Sequence, residues 1–325
     1  MVKVVRVHET GAPSVMRLED AEVPAPGRGE ALVRHTVIGV NFIDTYFRSG
    51  LYKAPTGLPF VPGSEAAGVV EAVGEGVTDV AVGDRVVYAG SVGAYAEKRV
   101  VATDRLVPIP DGIDDRTAAA CLLKGMTVQY LVRRTFPVGP EHTVLFHAGA
   151  GGVGQIAGQW LKAIGCTSIA TAGGPEKCRI AREAGFTHVI DYRSEDFVAR
   201  VGELTGGAKC HVVYDSIGKD TFPASLDCLR PLGTFVSFGN ASGAVPPFDM
   251  LLLSQKGGLY ATRPTLFHYT ATRADLLATA ADLFAMIASG KVTIAIGQEF
   301  ALYDVVKCHE ALESRATTGS SILTV

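Results

Sequence analysis

The sequence predicts an α/β protein in which a doubly wound parallel sheet is inserted into a smaller, mostly antiparallel, barrel-like domain. Three observations lead there: a change of rhythm near residue 126, a glycine-rich turn at 149–154, and a tail that breaks the alternating pattern. At 325 residues the chain exceeds what one core ordinarily organises, so two domains are expected.

Residues 1 to about 125 read as short strands: Val2–Val7, Ala31–Val40, Gly68–Val73, Asp84–Tyr88 and Tyr95–Ala102. Turn signals such as Pro24-Ala25-Pro26-Gly27, Val61-Pro62-Gly63 and Pro108-Ile109-Pro110-Asp111-Gly112 separate them. Spacing of this kind suggests a small barrel. From about 126, strands at 143–147, 167–171, 187–190, 210–214, 233–238 and 257–261 alternate with helices near 152–164, 175–184, 194–204, 219–229 and 249–254. That alternation is the pattern of a parallel sheet wound on both faces. In the first helix Val153, Ile156, Ala157, Trp160, Leu161 and Ile164 share one face at helical spacing. After about 264 come a helix (Arg273–Ser289), the segment Lys291–Phe300, a second helix (Asp304–Ser314) and a closing strand Ser320–Val325. This tail does not continue the alternation and is expected to fold back onto the N-terminal domain.

The turn Gly149-Ala150-Gly151-Gly152-Val153-Gly154 follows the Val144-Leu145-Phe146 strand and opens that amphipathic helix. One glycine allows the sharp turn, one lets backbone approach a pyrophosphate, and the last lets helix and sheet pack closely. The helix N-terminus offers free N–H groups and a positive dipole to the anion. The motif in this setting predicts a dinucleotide site. An NAD site usually carries an acid at the end of the next strand, about 20 residues on. This chain has Gly173-Gly174-Pro175-Glu176-Lys177 there. Two glycines leave room for a 2′-phosphate, while Lys177 and Arg179 supply positive charge and Tyr192 a hydroxyl; Glu176 suits a first helical turn. The expected cofactor is NADPH.

Hydrophobic residues make up 47% and charged residues 19%, with a formal net charge of −3 and no lysine- or arginine-rich run. A polyanion needs a basic patch, so nucleic acid is not an expected partner. No apolar run approaches the ~18–20 residues that span a bilayer, so no membrane association is expected. The N-terminus reads as a strand and not as a secretory signal. The six cysteines are scattered without a C-x-x-C pair, which fits reduced thiols in the cytoplasm. Cys121 and Cys166 have apolar neighbours and read as small core residues, and His147 as a satisfied core histidine ending a buried strand. There is no G-x-S-x-G elbow.

Segments Pro62–Val70, Ala81–Val86 and Ala148–Gly154 resemble the medium-chain dehydrogenase/reductase superfamily over essentially the whole chain. The resemblance implies a GroES-like catalytic domain over 1–125 plus 265–325, and a Rossmann NADPH-binding domain over 126–264. Many members are zinc alcohol dehydrogenases, but here Gly63-Ser64-Glu65 replaces the glycine–histidine–glutamate triplet, and Asn41 stands near where a ligating cysteine would. Only Gly90-Ser91-Val92-Gly93 occupies the place of a four-cysteine lobe. Asn and Ser are poor zinc ligands, so no metal is expected.

Within the superfamily the chain is similar to the zinc-free quinone oxidoreductases, the group that includes zeta-crystallin. Asn41–Tyr52, Lys124–Tyr130, Val212–Gly218 and Glu313–Ala316 carry that likeness. It implies that Thr127 and Tyr130 border the nicotinamide half of the cofactor. Gly152, Val153, Gly173, Lys177 and Tyr192 would border the diphosphate and 2′-phosphate, and Ser216, Phe238, Gly239, Asn240, Arg263 and Arg315 would complete the groove. It also implies a homodimer joined through the edge strand Gly257–Thr262.

A quinone accepts hydride readily and needs less Lewis-acid help than a ketone, so a quinone substrate and a missing zinc agree. Asn41, Tyr46 and Tyr52 are the candidates for contacting the acceptor, since a tyrosine can donate to a developing oxyanion. Asp44 is expected to fix local structure. The leading expectation is an NADPH-dependent quinone reductase. Reduction of activated alkenes (2-alkenals and enones) is the alternative, and a non-enzymatic NADPH-binding protein is a third.

Overall fold

The computed structural model describes residues 1–90 and 92–325; Ser91, in the Gly90–Gly93 connection, lies outside the described residues. The chain divides into two compact units: Met1–Met126 with Thr270–Ala288 and Ile294–Val325, and Thr127–Tyr269 with Ser289–Thr293. The spacing places 265–269 and 289–293 in the first unit, whereas both segments pack with the second. Gln159 shows why for the latter: its amide donates to Thr293 O at 3.0 Å and accepts from Thr293 N at 2.8 Å.

In the first unit, Val2–Val7 pairs antiparallel with Met16–Ala21. The main sheet is organised by the long strand Glu30–Val40, in which Ala31, Val33, His35 and Val37 alternate inward before Ile38–Val40 become buried throughout. Glu65–Val73 runs antiparallel along one side. The other side is shared between Lys98–Ala102 at one end and the closing strand Ser320–Thr324 at the other, with Leu323 opposite Ile38. The tail therefore completes the N-terminal sheet, as its break in rhythm predicts. It also adds Ile296–Ala301, parallel to the closing strand.

Two further helices do not show in the strand-and-turn spacing. Phe42–Ser49 begins at Asn41 and stops at Gly50, whose left-handed φ of +85° suits glycine. Its signals are start and stop residues: Asn41 before it, Asp44 three residues on, Gly50 after. Asp115–Tyr130 starts where Asp114 Oδ1 accepts from Thr117 N at 2.7 Å. This helix is buried nearly all round, so it lacks the amphipathic period that identifies surface helices.

The second unit holds six parallel strands in the order His188–Asp191, Thr167–Ala172, Thr143–Phe146, Cys210–Asp215, Leu229–Ser237 and Tyr260–Thr262. The order reverses between the third and fourth of these, and ligands of open α/β sheets bind outside the strand ends at such a point. Leu145, Ile169, Ile190, Val213 and Phe235 form the centre of the core on one face. Gly152–Ile164, Pro175–Glu183, Phe197–Leu204, Ala224–Asp227 and Leu251–Gln255 are the helices that follow the first five strands in chain order.

Two elements differ from the spacing for local reasons. The expected helix at 219–229 shrinks to Ala224–Asp227 because the buried Asp215 carboxylate gathers the preceding turn. It accepts from Ile217 N at 2.8 Å, Gly218 N at 3.0 Å, Thr221 Oγ1 at 2.7 Å and Ser225 Oγ at 2.8 Å. The expected strand at 257–261 starts at Tyr260, since Gly257 and Gly258 have φ of +119° and +67° and make a turn.

Candidate active site

The glycine turn shows two uses of glycine. A Cβ on Gly149 would lie 2.6 Å from the Ala170 methyl, and one on Gly154 would lie 2.2 Å from Ala148 O, so both are bare for internal packing. A Cβ on Gly151 would meet nothing nearer than Ala148 O at 3.4 Å. The protein alone does not demand glycine there, and the open face leaves room for a ligand to approach. Gly152 and Val153 open the helix Gly152–Ile164, where the first backbone N–H groups have no helical partner. The fit to a dinucleotide pyrophosphate is good.

At the next strand end the second corner forms. Gly174 has φ of +91° and donates its N–H to Asp191 Oδ1 at 2.9 Å. A Cβ on Gly173 would stand 2.5 Å from the Tyr192 hydroxyl and 3.2 Å from Arg193 Nε, and one on Gly174 would stand 3.3 Å from Arg193 NH1. Tyr192 and the Arg193 guanidinium thus lie over the glycine pair, near Lys177 in the first turn of Pro175–Glu183. Asp191 is held well ionised, chiefly by the Gly174 N–H, against a small burial effect, with help from Arg193. Arg193 is not evident from the motif; its one signal is its place directly after Tyr192. Arg179 is different. It pairs on the surface with Glu176 at 2.6 Å and with Glu183.

Ser216, Phe238, Gly239, Asn240 and Arg263 gather at the ends of three neighbouring strands. Ala241 N donates to Ser216 O at 3.0 Å, a Gly239 Cβ would lie 2.6 Å from the same oxygen, and Arg263 donates to Ser237 O at 2.8 Å. Thr127 is buried on the helix Asp115–Tyr130. Tyr130 stacks on Tyr269 with ring centroids 4.5 Å apart at 10°, and Tyr269 is anchored by its hydroxyl to Thr135 Oγ1 at 2.8 Å. Burial pushes the Tyr130 hydroxyl pKa up, and the Arg263 charge opposes it. Arg315 belongs to the first unit, exposed beyond Val305–Glu313 with φ of +59°.

His147 sits where the motif strand ends, but Nδ1 meets Thr171 Oγ1 at 2.9 Å and Nε2 meets Ser225 Oγ at 3.0 Å. Burial holds it neutral by lowering its pKa, against the Asp215 charge. It is a satisfied core histidine. All six cysteines are buried free thiols, and burial raises the Cys121 and Cys166 thiol pKa values.

In the first unit Tyr46 and Tyr52 come together, and Asn41 precedes the helix that carries Tyr46. Tyr46 and Tyr52 pack edge to face at 5.2 Å, and Tyr52 N donates to Tyr46 O at 2.9 Å. Beneath Asn41 lies a buried polar network. Asp44 accepts from Asn41 N at 2.9 Å, Ser64 Oγ at 2.7 Å and Tyr95 OH at 3.0 Å. Burial raises its pKa to about 6, against those hydrogen bonds and the Lys124 charge. The Tyr95 hydroxyl also meets His309 Nε2 at 2.9 Å. Asp44 fixes local structure, as the spacing suggests. Glu65 accepts from Asn41 Nδ2 at 2.8 Å and Leu123 N at 2.6 Å, with the Lys124 ammonium 3.8 Å away.

This donor set does not fit zinc. The positions of the usual ligands hold a carboxamide and a hydroxyl, the hydroxyl is spent on Asp44, and both Glu65 oxygens are engaged beside a cation.

Barrel, parallel sheet and phosphate-ready turn together define a two-unit dehydrogenase. Residues 27–111 match the family described as alcohol dehydrogenase GroES-like domain, and residues 152–283 that described as zinc-binding dehydrogenase. The quinone oxidoreductase of Pseudomonas aeruginosa is 52% identical over 324 residues, 99% of each chain. The crystal structure of Escherichia coli quinone oxidoreductase complexed with NADPH superposes with a TM-score of 0.98 at 47% identity, covering 99% of this chain and 100% of that one. A 2-haloacrylate reductase from Burkholderia sp is 41% identical over 329 residues, 99% of each chain. The chain belongs to the zinc-free quinone oxidoreductases of the medium-chain dehydrogenase/reductase superfamily.

Proposed function

We propose that the particular activity of this chain is NADPH-dependent reduction of a quinone. The observation that carries it is the Asn41–Glu65–Lys124 arrangement: where a zinc dehydrogenase holds a Lewis acid, this chain holds a neutral amide on a charge-paired base. An acceptor reduced there must already be electrophilic, and a quinone is. Full-length relatives near 50% identity carry the quinone oxidoreductase name.

NADPH supplies a hydride from its nicotinamide C4. The chain's own residues do the rest. Gly152 and Val153 receive the diphosphate with backbone N–H groups, and Gly151 leaves room for it. Gly173, Lys177, Tyr192 and Arg193 receive the 2′-phosphate, two of whose oxygens suit the planar fork of a guanidinium. Thr127, Tyr130, Ser216, Phe238, Gly239, Asn240 and Arg263 line the remainder of the groove, and Arg315 is a further cofactor residue in this reading. Asn41, Tyr46 and Tyr52 meet the acceptor, the tyrosines donating to oxygen as charge develops on it.

Reduction of electron-poor alkenes is the second reading, supported by the likeness to a 2-haloacrylate reductase. NADPH oxidation measured against ortho- and para-quinones, 2-alkenals and 2-haloacrylates separates the two. Turnover of the quinones supports the first; turnover confined to the alkenes replaces it with the second. Inertness toward every acceptor would leave an NADPH-binding protein.

A homodimer through the sheet edge is part of the same proposal. The edge strand Tyr260–Thr262 is exposed along its length, with Tyr260, Met250, Leu251 and Leu232 at 63%, 72%, 58% and 66% exposure. A cytoplasmic setting is supported by the six free thiols. No helix among the described residues is long and apolar enough to cross a membrane.

A further inference from the structure

A side-chain amide has two orientations of nearly equal shape, and hydrogen-bond polarity alone distinguishes them. An ionised carboxylate accepts and cannot donate. Glu65, fully buried, meets Asn41 at 2.8 Å, so the atom turned toward it is Nδ2 and Oδ1 is turned away. A protonated Glu65 would permit the reverse.

We infer that Glu65 and Lys124 are positioning residues that hold the Asn41 amide in one of its two orientations for the acceptor. Glu65 acts directly and Lys124 acts through it. The inference rests on the proposed contact between Asn41 and the acceptor.

The surroundings are built for this. Burial pushes the Glu65 pKa up, and the Lys124 charge, the Asn41 amide and the Leu123 N–H oppose that push. Lys124 also donates to Val40 O at 3.1 Å, the carbonyl just before Asn41, while Asp44 accepts from the Asn41 N–H. Backbone and amide are therefore both held. Gly39 makes the room: a Cβ there would lie 2.5 Å from Glu65 Oε2 and 2.1 Å from Ala119 O. Stability alone does not account for the pair, because a buried ion pair rarely outdoes apolar side chains of equal volume.

The test replaces the pair together, as Glu65→Gln with Lys124→Met, which leaves no uncompensated charge. The introduced glutamine has one accepting oxygen; with the Leu123 N–H taking it, its NH2 faces Asn41 and the amide turns over. The variant is expected to melt cooperatively and to keep its KM for NADPH within about twofold. Its kcat with a benzoquinone is expected to fall about tenfold to a hundredfold, the size a misplaced contact produces. Asn41→Ala is run alongside and is expected to lose at least as much. A folded double variant with unchanged kcat, beside an impaired Asn41→Ala, overturns the positioning role alone. Unchanged kcat in Asn41→Ala removes the acceptor contact, and the positioning role with it. A measurement on the unaltered protein stands even if the variant does not fold. With asparagine labelled by 15N, the Asn41 side-chain NH2 is expected as one slowly exchanging pair of resonances. Two populations, or exchange at the free-amide rate, would overturn the inference.

Discussion

The proposed cofactor corner and the buried network around Asn41, the proposed acceptor contact, are built by opposite means. The corner at Gly173, Gly174, Lys177, Tyr192 and Arg193 is a buried glycine pair under exposed side chains, Tyr192 and Arg193, with Lys177 half-buried beside it. The pocket around Asn41 is buried side chains joined across long separations: 24 residues from Asn41 to Glu65, 58 from Glu65 to Leu123, 214 from Tyr95 to His309. A phosphate brings its own charge and asks for open N–H groups and cations. A neutral amide must be oriented by other groups, and orientation holds best where water is absent. Substitutions in the pocket should therefore cost stability, and those in the corner should cost cofactor selectivity.

The largest effect is expected inside the pocket. Asp44→Ala orphans the donors Ser64 Oγ, Tyr95 OH and Asn41 N, and urea denaturation should show a loss of about 3–5 kcal/mol. A loss under about 1 kcal/mol would mean that the network is not tightly coupled.

Next comes pH. Burial, and for His309 the Arg48 charge as well, lowers His309 to about 3; burial lowers His35 to about 4, against the Ala96 carbonyl it bonds. Their stabilisation is complete above the unfolded value of 6.5 and is lost as the pH falls toward 4 and 3. Asp44 runs the other way: raised from 3.8 to about 6, it favours the fold in acid and loses that contribution as the pH rises through 6. The histidines make the melting temperature drop on acidification below 6.5, while Asp44 and the likewise raised Glu65 work against that drop. His309→Asn should flatten the drop; an unchanged slope would remove His309 from the cause.

The corner supplies the smaller effects. Lys177→Ala and Arg193→Ala should each raise KM for NADPH about tenfold, in line with one charged hydrogen bond, and leave NADH within about twofold. Equal losses for both cofactors would move the 2′-phosphate elsewhere. Arg179→Ala should change KM for NADPH less than Lys177→Ala or Arg193→Ala does, because in the free protein Arg179 faces Glu176 and Glu183 and not the Gly173–Gly174 pair. A tenfold NADPH effect there would reverse the assignments of Arg179 and Arg193.

What is legible in the sequence follows the same division. Gly149–Gly154 after an apolar strand, and Gly173-Gly174 with Lys177, are local and carry their own chemistry. The rhythm of the second unit reveals its strands because each of the first five, largely buried, is followed by a helix. The missing zinc ligands are equally visible as residue identities at Asn41 and Ser64. The Glu65–Lys124 pair is not, since nothing in a sequence brings position 65 under position 41. Nor is the helix Asp115–Tyr130, whose all-round burial erases the period that marks a helix. Arg193 escapes because an arginine just past a strand end has no spacing of its own; the bare faces of Gly173 and Gly174 reveal it.

The most direct measurement is single-turnover oxidation of NADPH by a benzoquinone on exhaustively chelated protein, with the cofactor deuterated at each C4 position in turn. The expected result is an undiminished rate with a primary isotope effect at one position. Loss of turnover on chelation, restored by adding zinc, would contradict it.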